Sequence, residues 1–308
     1  MAKRKELLET GLDAGAGSIR FHLRQLPGVP SESTIWRILT ARGFIVPDPT
    51  KAPKHAHRSF TAERANDCWQ IDDTAWELAD GTPVKILNVI DDHSRLAVAS
   101  VALESCTGAA TLTVLAVAAT VLGWPARFLS DNAKAFRHVL AEALGALGID
   151  HGHSRPYHPQ TNGKVERFHQ TLKRWLHCQP GPATLDELQT QLDIFRFIYN
   201  HQRPHRSLDR QFPADTWTQA PKNGPADGPI GNTTRIYQQT VHDGIVQLGR
   251  RYRVSVGARY NGQRPLAIVT GTACHLFLNG RLIRALTINP NRKNQPLHNR
   301  PGRPTQLP

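Results

Sequence analysis

The stretch Trp69-Gln70-Ile71-Asp72-Asp73-Thr74 decides how this chain is read. Aromatic and apolar residues from Cys68 to Trp76 predict a strand. An acidic side chain inside an apolar strand is costly unless something pairs with it. Neighbouring strand residues point to opposite faces, so Asp72 and Asp73 cannot share one role. Working outward, Val84–Asp91 and Arg95–Leu103 predict two more strands, with turns at Asp80-Gly81 and Asp92-His93-Ser94. A helix at 107–122, a short strand at Ala126–Ser130 and a helix from Asn132 to about Leu147 come next. A fifth strand is predicted at Ile149–His153, a loop at Ser154–Asn162, and helices at 163–177 and 183–200. Three strands followed by alternating helices and strands specify an α/β fold, a mixed five-stranded sheet with helices on both faces.

Two further acids stand out. Asp131, in Phe128-Leu129-Ser130-Asp131-Asn132, ends a short strand, where ligands collect in open α/β sheets. Glu166, in Asn162-Gly163-Lys164-Val165-Glu166-Arg167-Phe168, falls in the first turn of a helix. At 100° per residue, Val165, Phe168, Leu172, Trp175 and Leu176 make one buried stripe, and Glu166 lies about 100° from Val165 on a flank shared with Lys173. Carboxylates from two strands and a helix can hold two Mg²⁺ ions about 4 Å apart, leaving positions for water and phosphate. Taken singly, each acid reads as well as a cap, an ion-pair member or an exposed group.

The charge is uneven. The 308 residues carry 38 Lys+Arg and 25 Asp+Glu, a net of +13. Residues 1–60 are net +5, residues 61–218 net −3 and residues 219–308 net +11. Basic ends attract phosphate backbones, and a slightly acidic middle suits carboxylates gathered for cations. No run is apolar enough to span a membrane, no secretory segment is evident and the 4 cysteines lie far apart. The expected setting is the cytosol, with no membrane partner.

At the amino end, residues 17–42 read as two short helices around Pro27-Gly28-Val29-Pro30, with Ser31 capping the second. This pattern is that of a helix-turn-helix over residues 1–45, with Arg37 on the helix that would enter a groove. A basic linker at 46–67 follows, then a core at 68–217 and a second linker at 218–232. Beyond it, Arg251–Val256 alternates apolar and basic residues, placing Arg251 and Arg253 on one face, and Asn279-Gly280 marks a hairpin. About five strands over 233–288 suggest a small SH3-like barrel, with a disordered basic tail at 289–308.

Together, Trp69-Gln70-Ile71-Asp72, Val89-Ile90-Asp91-Asp92-His93-Ser94-Arg95, Ser130-Asp131-Asn132 and Tyr157-His158-Pro159-Gln160-Thr161-Asn162-Gly163-Lys164-Val165-Glu166-Arg167 resemble the catalytic core of the retroviral-integrase superfamily. In particular they resemble transposases of bacterial insertion sequences, which makes the expected setting a bacterial cytoplasm, close to the nucleoid. Tyr199-Asn200-His201-Gln202-Arg203-Pro204-His205 fits the end of that core, and 34 residues separate Asp131 from Glu166, close to the family's spacing.

The resemblance implies an RNase H-like fold and a catalytic Asp72–Asp131–Glu166 triad binding two Mg²⁺ or Mn²⁺ ions. It implies strand cleavage by water, then attack of the freed 3′-hydroxyl on target DNA with no covalent protein intermediate. It makes Asp73 a non-catalytic neighbour and leaves Asp91 and Asp92 to support a turn. DNA contacts are expected from Lys173, Tyr157, Gln160, Asn162, Lys164 and Arg167, and a dimer or larger assembly on element-end and target DNA. Relatives carry two helix-turn-helix units before the core, where about 65 residues leave room for one. The rival readings are a metal-dependent nuclease on the same fold and a domesticated, non-enzymatic DNA-binding protein. His151, His153 and His158 lack a nearby cysteine and do not read as a zinc site.

Overall fold

The computed structural model describes residues 1–45, 61–130, 139–153, 163–225 and 234–297. Asp131, the loop residues Tyr157, Gln160 and Asn162, most of the basic linker, part of the second linker and residues 298–308 lie outside the described residues. The described chain divides into two compact units.

The first unit is built on a five-stranded sheet. Strands β1 (Cys68–Glu77), β2 (Pro83–Asp91) and β3 (Ala97–Leu103) form an antiparallel meander. β4 (Arg127–Ser130) then pairs parallel to β1, and β5 (Asp150–His153) completes the order β3-β2-β1-β4-β5. The strand carrying Asp72 is therefore central. Helices α6 (Gly163–Leu176) and α7 (Leu185–His201) cover one face. Their core joins Val165, Phe168, Leu172 and Trp175 to Leu188, Leu192 and Phe195, over Ile86, Ile90 and Ala97 of the sheet. The stripe expected on the Glu166 helix is the stripe that is buried, with Thr171 added. Thr184 caps α7 by accepting from the Glu187 amide. The side chain of Asn200 near its end bonds both the amide and the carbonyl of Ala97 on β3, at 2.8 and 3.1 Å.

Among the described residues, three helices precede the sheet. α2 (Ala16–Leu23) and α3 (Glu32–Ala41) match the expected pair, and Ser31 caps α3 by accepting from the Thr34 amide. The additional α1 (Ala2–Glu9) was not evident from periodicity. Its single buried side chain, Leu7, completes a small core with Ile19, Ile35 and Leu39. These helices dock on α6 and on the segment after α7 through Asp13, which pairs with Arg174 at 2.6 Å and with Arg203. Burial opposes ionisation of Asp13, but the two guanidiniums outweigh it and hold the carboxyl below its usual range.

The expected boundaries differ in three places. Residues 61–67, assigned to a linker, are packed, because Ala62 and Asn66 donate their amides to the buried carboxylates of Asp92 and Asp91. α8 (Pro213–Gln219) and the residues after it continue the first unit, with Lys222 bridging Ala65 and Asn223 bonding Asp67. Helices α4 (Gly108–Leu122) and α5 (Val139–Ala146), placed by the sequence in the 68–217 core, group with the carboxyl-terminal strands instead. α4 is apolar almost all round, so its sequence does not specify which partner it covers.

In that second unit, β6 (Thr234–Gln238), β9 (Leu266–Thr270), β10 (Ala273–Leu278) and β11 (Arg281–Thr287) form one sheet. β7 (Ile245–Leu248), β8 (Tyr252–Ser255) and β12 (Asn294–Gln295) form another. Val246, Val254, Ala267, Cys274 and Leu276 share one core. The expected five-stranded barrel is thus two small sheets over a common core. Residues 289–297, placed by the sequence in a disordered tail, are held in the fold, because the 5%-exposed Gln295 bonds Asn289 and Arg292. Among the described residues no helix is long and apolar enough to cross a membrane.

The Asn279-Gly280 hairpin has φ of 49° and 78° and sits against α4 and α5, where a Cβ on Gly280 would collide with the Val139 side chain. Gly262 has the same backbone, φ 77°, in open space. Gly262→Ala should therefore cost only the left-handed strain, about 1–3 kcal/mol. Gly280→Ala should cost clearly more, read as a larger fall in the urea midpoint.

Candidate active site

Asp72 and Asp73 diverge as strand geometry requires. Asp73 pairs with Lys85 at 2.7 Å on the face away from α6 and α7. Asp72 lies on the helix-covered face opposite Asn88, which in turn accepts from Ser100 at 2.8 Å. A polar line thus crosses three strands beneath the helices. Asp72 also accepts from the Asp73 amide at 2.9 Å, and its side chain is 19% exposed.

Glu166 is exposed in the first turn of α6. One turn further, His169 Nδ1 lies 3.9 Å from Asp72 Oδ2, so the helix crosses β1 at this acid. Burial, with repulsion from Lys173, pulls the His169 pKa down to about 4. The imidazole facing Asp72 is therefore neutral at neutral pH. β1 and β4 run parallel in a register that sets Ile71 opposite Ser130. These are the residues immediately before Asp72 and Asp131. Among the described residues no group of three or more His, Cys, Asp or Glu could hold a metal ion, and Asp131 is outside them.

The expected DNA contacts separate. Lys173 is half-buried on α6, and Arg167 is exposed there, bonded to Gln170 at 3.4 Å. Arg37 is exposed on α3, beside Trp36 at 51% exposure. Arg253 is exposed on β8, and Arg251 is exposed beside it, over the Tyr252 ring at 5.2 Å. Arg235, Arg250, Arg251, Tyr237 and Tyr252 line a cleft of about 640 Å³ in the second unit. Lys164 departs from expectation: it is committed to Asp92 at 2.6 Å, and its side chain is 14% exposed. His169 and Asp92 were not singled out for this site from sequence. The one signal for His169 is its position one turn after Glu166; nothing in the sequence connects Asp92 to Lys164, 72 residues away.

With this geometry in view, the family profile described as "Integrase core domain" matches residues 62–159, and a second of the same description matches residues 147–213. Together the two profiles span residues 62–213, the stretch that holds β1 to β5 and helices α6 and α7. It is 26% identical over 217 residues to the "Insertion element IS476 uncharacterized 39.2 kDa protein" of Xanthomonas euvesicatoria, covering 67% of this chain and 63% of that protein. It is 28% identical over 105 residues to the "Putative transposase InsD for insertion element IS2E" of Escherichia coli K12, covering 33% of this chain and 48% of that one. The chain thus spans about half to two thirds of these relatives' lengths. The HTLV-2 integrase catalytic core domain in complex with magnesium aligns at 19% identity and a TM-score of 0.41, over 52% of this chain and 99% of that one.

A second histidine resists protonation in this integrase core: burial, with Arg203 and Arg95 adding repulsion, pulls His205 down to about 3. An unfolded chain takes up both His169 and His205 protons near about 6.5. Between that value and the folded values the unfolded state binds more protons, so stability is full above about pH 6.5 and declines below it. The urea midpoint should fall between about pH 7 and about pH 5, and His205→Gln should flatten that slope.

Proposed function

We propose that this integrase-superfamily chain is a DDE transposase that cleaves and joins DNA strands, with Asp72, Asp131 and Glu166 as its catalytic carboxylates. The observation that supports this most is the in-register parallel pairing of β1 and β4, one residue before each aspartate, with the Glu166 helix crossing the same strand. The donors are hard carboxylate oxygens, the set that Mg²⁺ or Mn²⁺ prefers. Two such ions held there would activate the attacking oxygen and stabilise the leaving oxygen of an in-line phosphodiester displacement.

The chain's own residues bind and orient the DNA. Lys173 and Arg167 on α6, with Tyr157, Gln160 and Asn162, hold the strand near the acids. Arg37 on α3 recognises element-end DNA, and Arg251 and Arg253 hold backbone phosphate on the carboxyl-terminal strands. Joining two ends calls for a dimer or larger assembly on DNA.

Incubation of element-end and target DNA with Mg²⁺ tests the reaction directly. Wild type should give strand-transfer product, and Asp131→Asn should give none while keeping its DNA affinity. Hydrolysis without joining would overturn the transposase reading in favour of a nuclease. Replacing Arg251 and Arg253 together by Ala should weaken binding across all sequences and lower the salt slope of log K by about 2.

A further inference from the structure

Asp92 is 1% exposed, and both of its oxygens are engaged. Oδ2 accepts from the Ala62 amide at 2.7 Å. Oδ1 accepts from Gln70 Nε2 at 2.6 Å and from Lys164 Nζ at 2.6 Å. Gln70 precedes Asp72 by two residues on β1, and side chains two apart on a strand share a face. Lys164 precedes Glu166 by two residues in the first turn of α6. One buried oxygen therefore joins the strand and the helix that carry two of the acids, at the same offset from each.

The helix turn needs such a tie. The first amides of a helix have no partner within it, and terminal turns fray. Val165 packs into the core, but Glu166 beside it faces outward. The Lys164 side chain is directed inward, where an amine is stable only when paired.

We propose that Asp92 is a positioning residue, which through Gln70 and Lys164 fixes the spacing of the Asp72 strand and the Glu166 turn and so the shape of the divalent-cation site. This rests on the reading of Asp72 and Glu166 as cation ligands. Asp92 itself touches neither the cation nor the DNA.

Calorimetric titration of the full chain with Mn²⁺, in the absence of DNA, tests the proposal. Lys164→Met and Asp92→Asn should each weaken Mn²⁺ binding by about 10- to 100-fold. Lys164→Arg should recover most of the affinity. In strand cleavage, Lys164→Met should raise the half-saturating Mn²⁺ concentration and leave the rate at saturating Mn²⁺ near wild type. Lys164→Met leaves Asp92 bonded to Ala62 and Gln70, so the test does not depend on whether Asp92→Asn folds. Wild-type Mn²⁺ affinity in Lys164→Met, with weakened DNA binding, would overturn the proposal and make Lys164 a DNA contact. Glu166→Gln in the same titration should lose Mn²⁺ binding; wild-type binding there would overturn the ligand assignment itself, and the proposal with it.

Discussion

Two carboxylates buried side by side at the β2–β3 turn organise the first unit. Asp91 and Asp92 are 0% and 1% exposed. Removing a carboxylate from water is expensive, and the structure offsets it with donors from four directions. Asp91 accepts from the amides of Asn66 and Ser94 and from the Ser94 hydroxyl, at 2.7–2.9 Å. Burial still pushes its carboxyl above the usual range, which these donors and His93 offset only in part. Asp92 takes Ala62, Gln70 and Lys164. Arg95 closes the turn by donating to the Asp92 carbonyl, with its own φ at 62°. The segment before β1, the hairpin, β1 itself and the start of α6 thus meet at directional bonds to two buried carboxylates. Leaving such a charge uncompensated costs about 3–5 kcal/mol, whereas trading one core aliphatic for another of similar volume costs less than about 1.5 kcal/mol.

Legibility in the sequence follows the range of the interaction. The strands and the helix stripe were readable because alternation and the 3.6 period are local signals; Phe168, Leu172 and Trp175 announce their burial by spacing alone. The Asp72/Asp73 division was also local, since adjacent residues on a strand must part. What escaped were pairings between distant segments. Lys164 reads in sequence as one more basic residue after a polar loop, and only the fold reveals the acid that claims it. α1 escaped because a helix with one buried residue, Leu7, has no periodicity to detect. The partner of α4 escaped for the opposite reason, a surface apolar in nearly every direction.

The Tyr199–His205 stretch, which marks the end of the core in sequence, turns out to be an attachment point. Asn200 fastens α7 to β3. Tyr199 packs on Phe168 and lies beneath the Arg203 guanidinium at 5.2 Å. Arg203 reaches Asp13, so the amino-terminal helices are bolted to the same helices that frame the acids. Arg174, about three turns along α6 from its start, supplies the second bolt. A substitution in this stretch therefore reaches Asp72 and Glu166 through packing.

The acids of the first unit can be sorted by what neutralises them. Asp73 has Lys85, Asp92 has Lys164, and Asp13 has two arginines. Each of these carboxylates has given its charge to a protein cation and has little left for a metal. Asp72 faces an imidazole that burial keeps uncharged, and Glu166 points outward from its helix turn. The imidazole beside Asp72, its pKa pulled down to about 4 by burial, adds polarity there without a positive charge at neutral pH. If Asp72 is a cation ligand as proposed, a permanent cation in place of His169 would set a competing positive charge beside that carboxylate and weaken its hold on a metal ion.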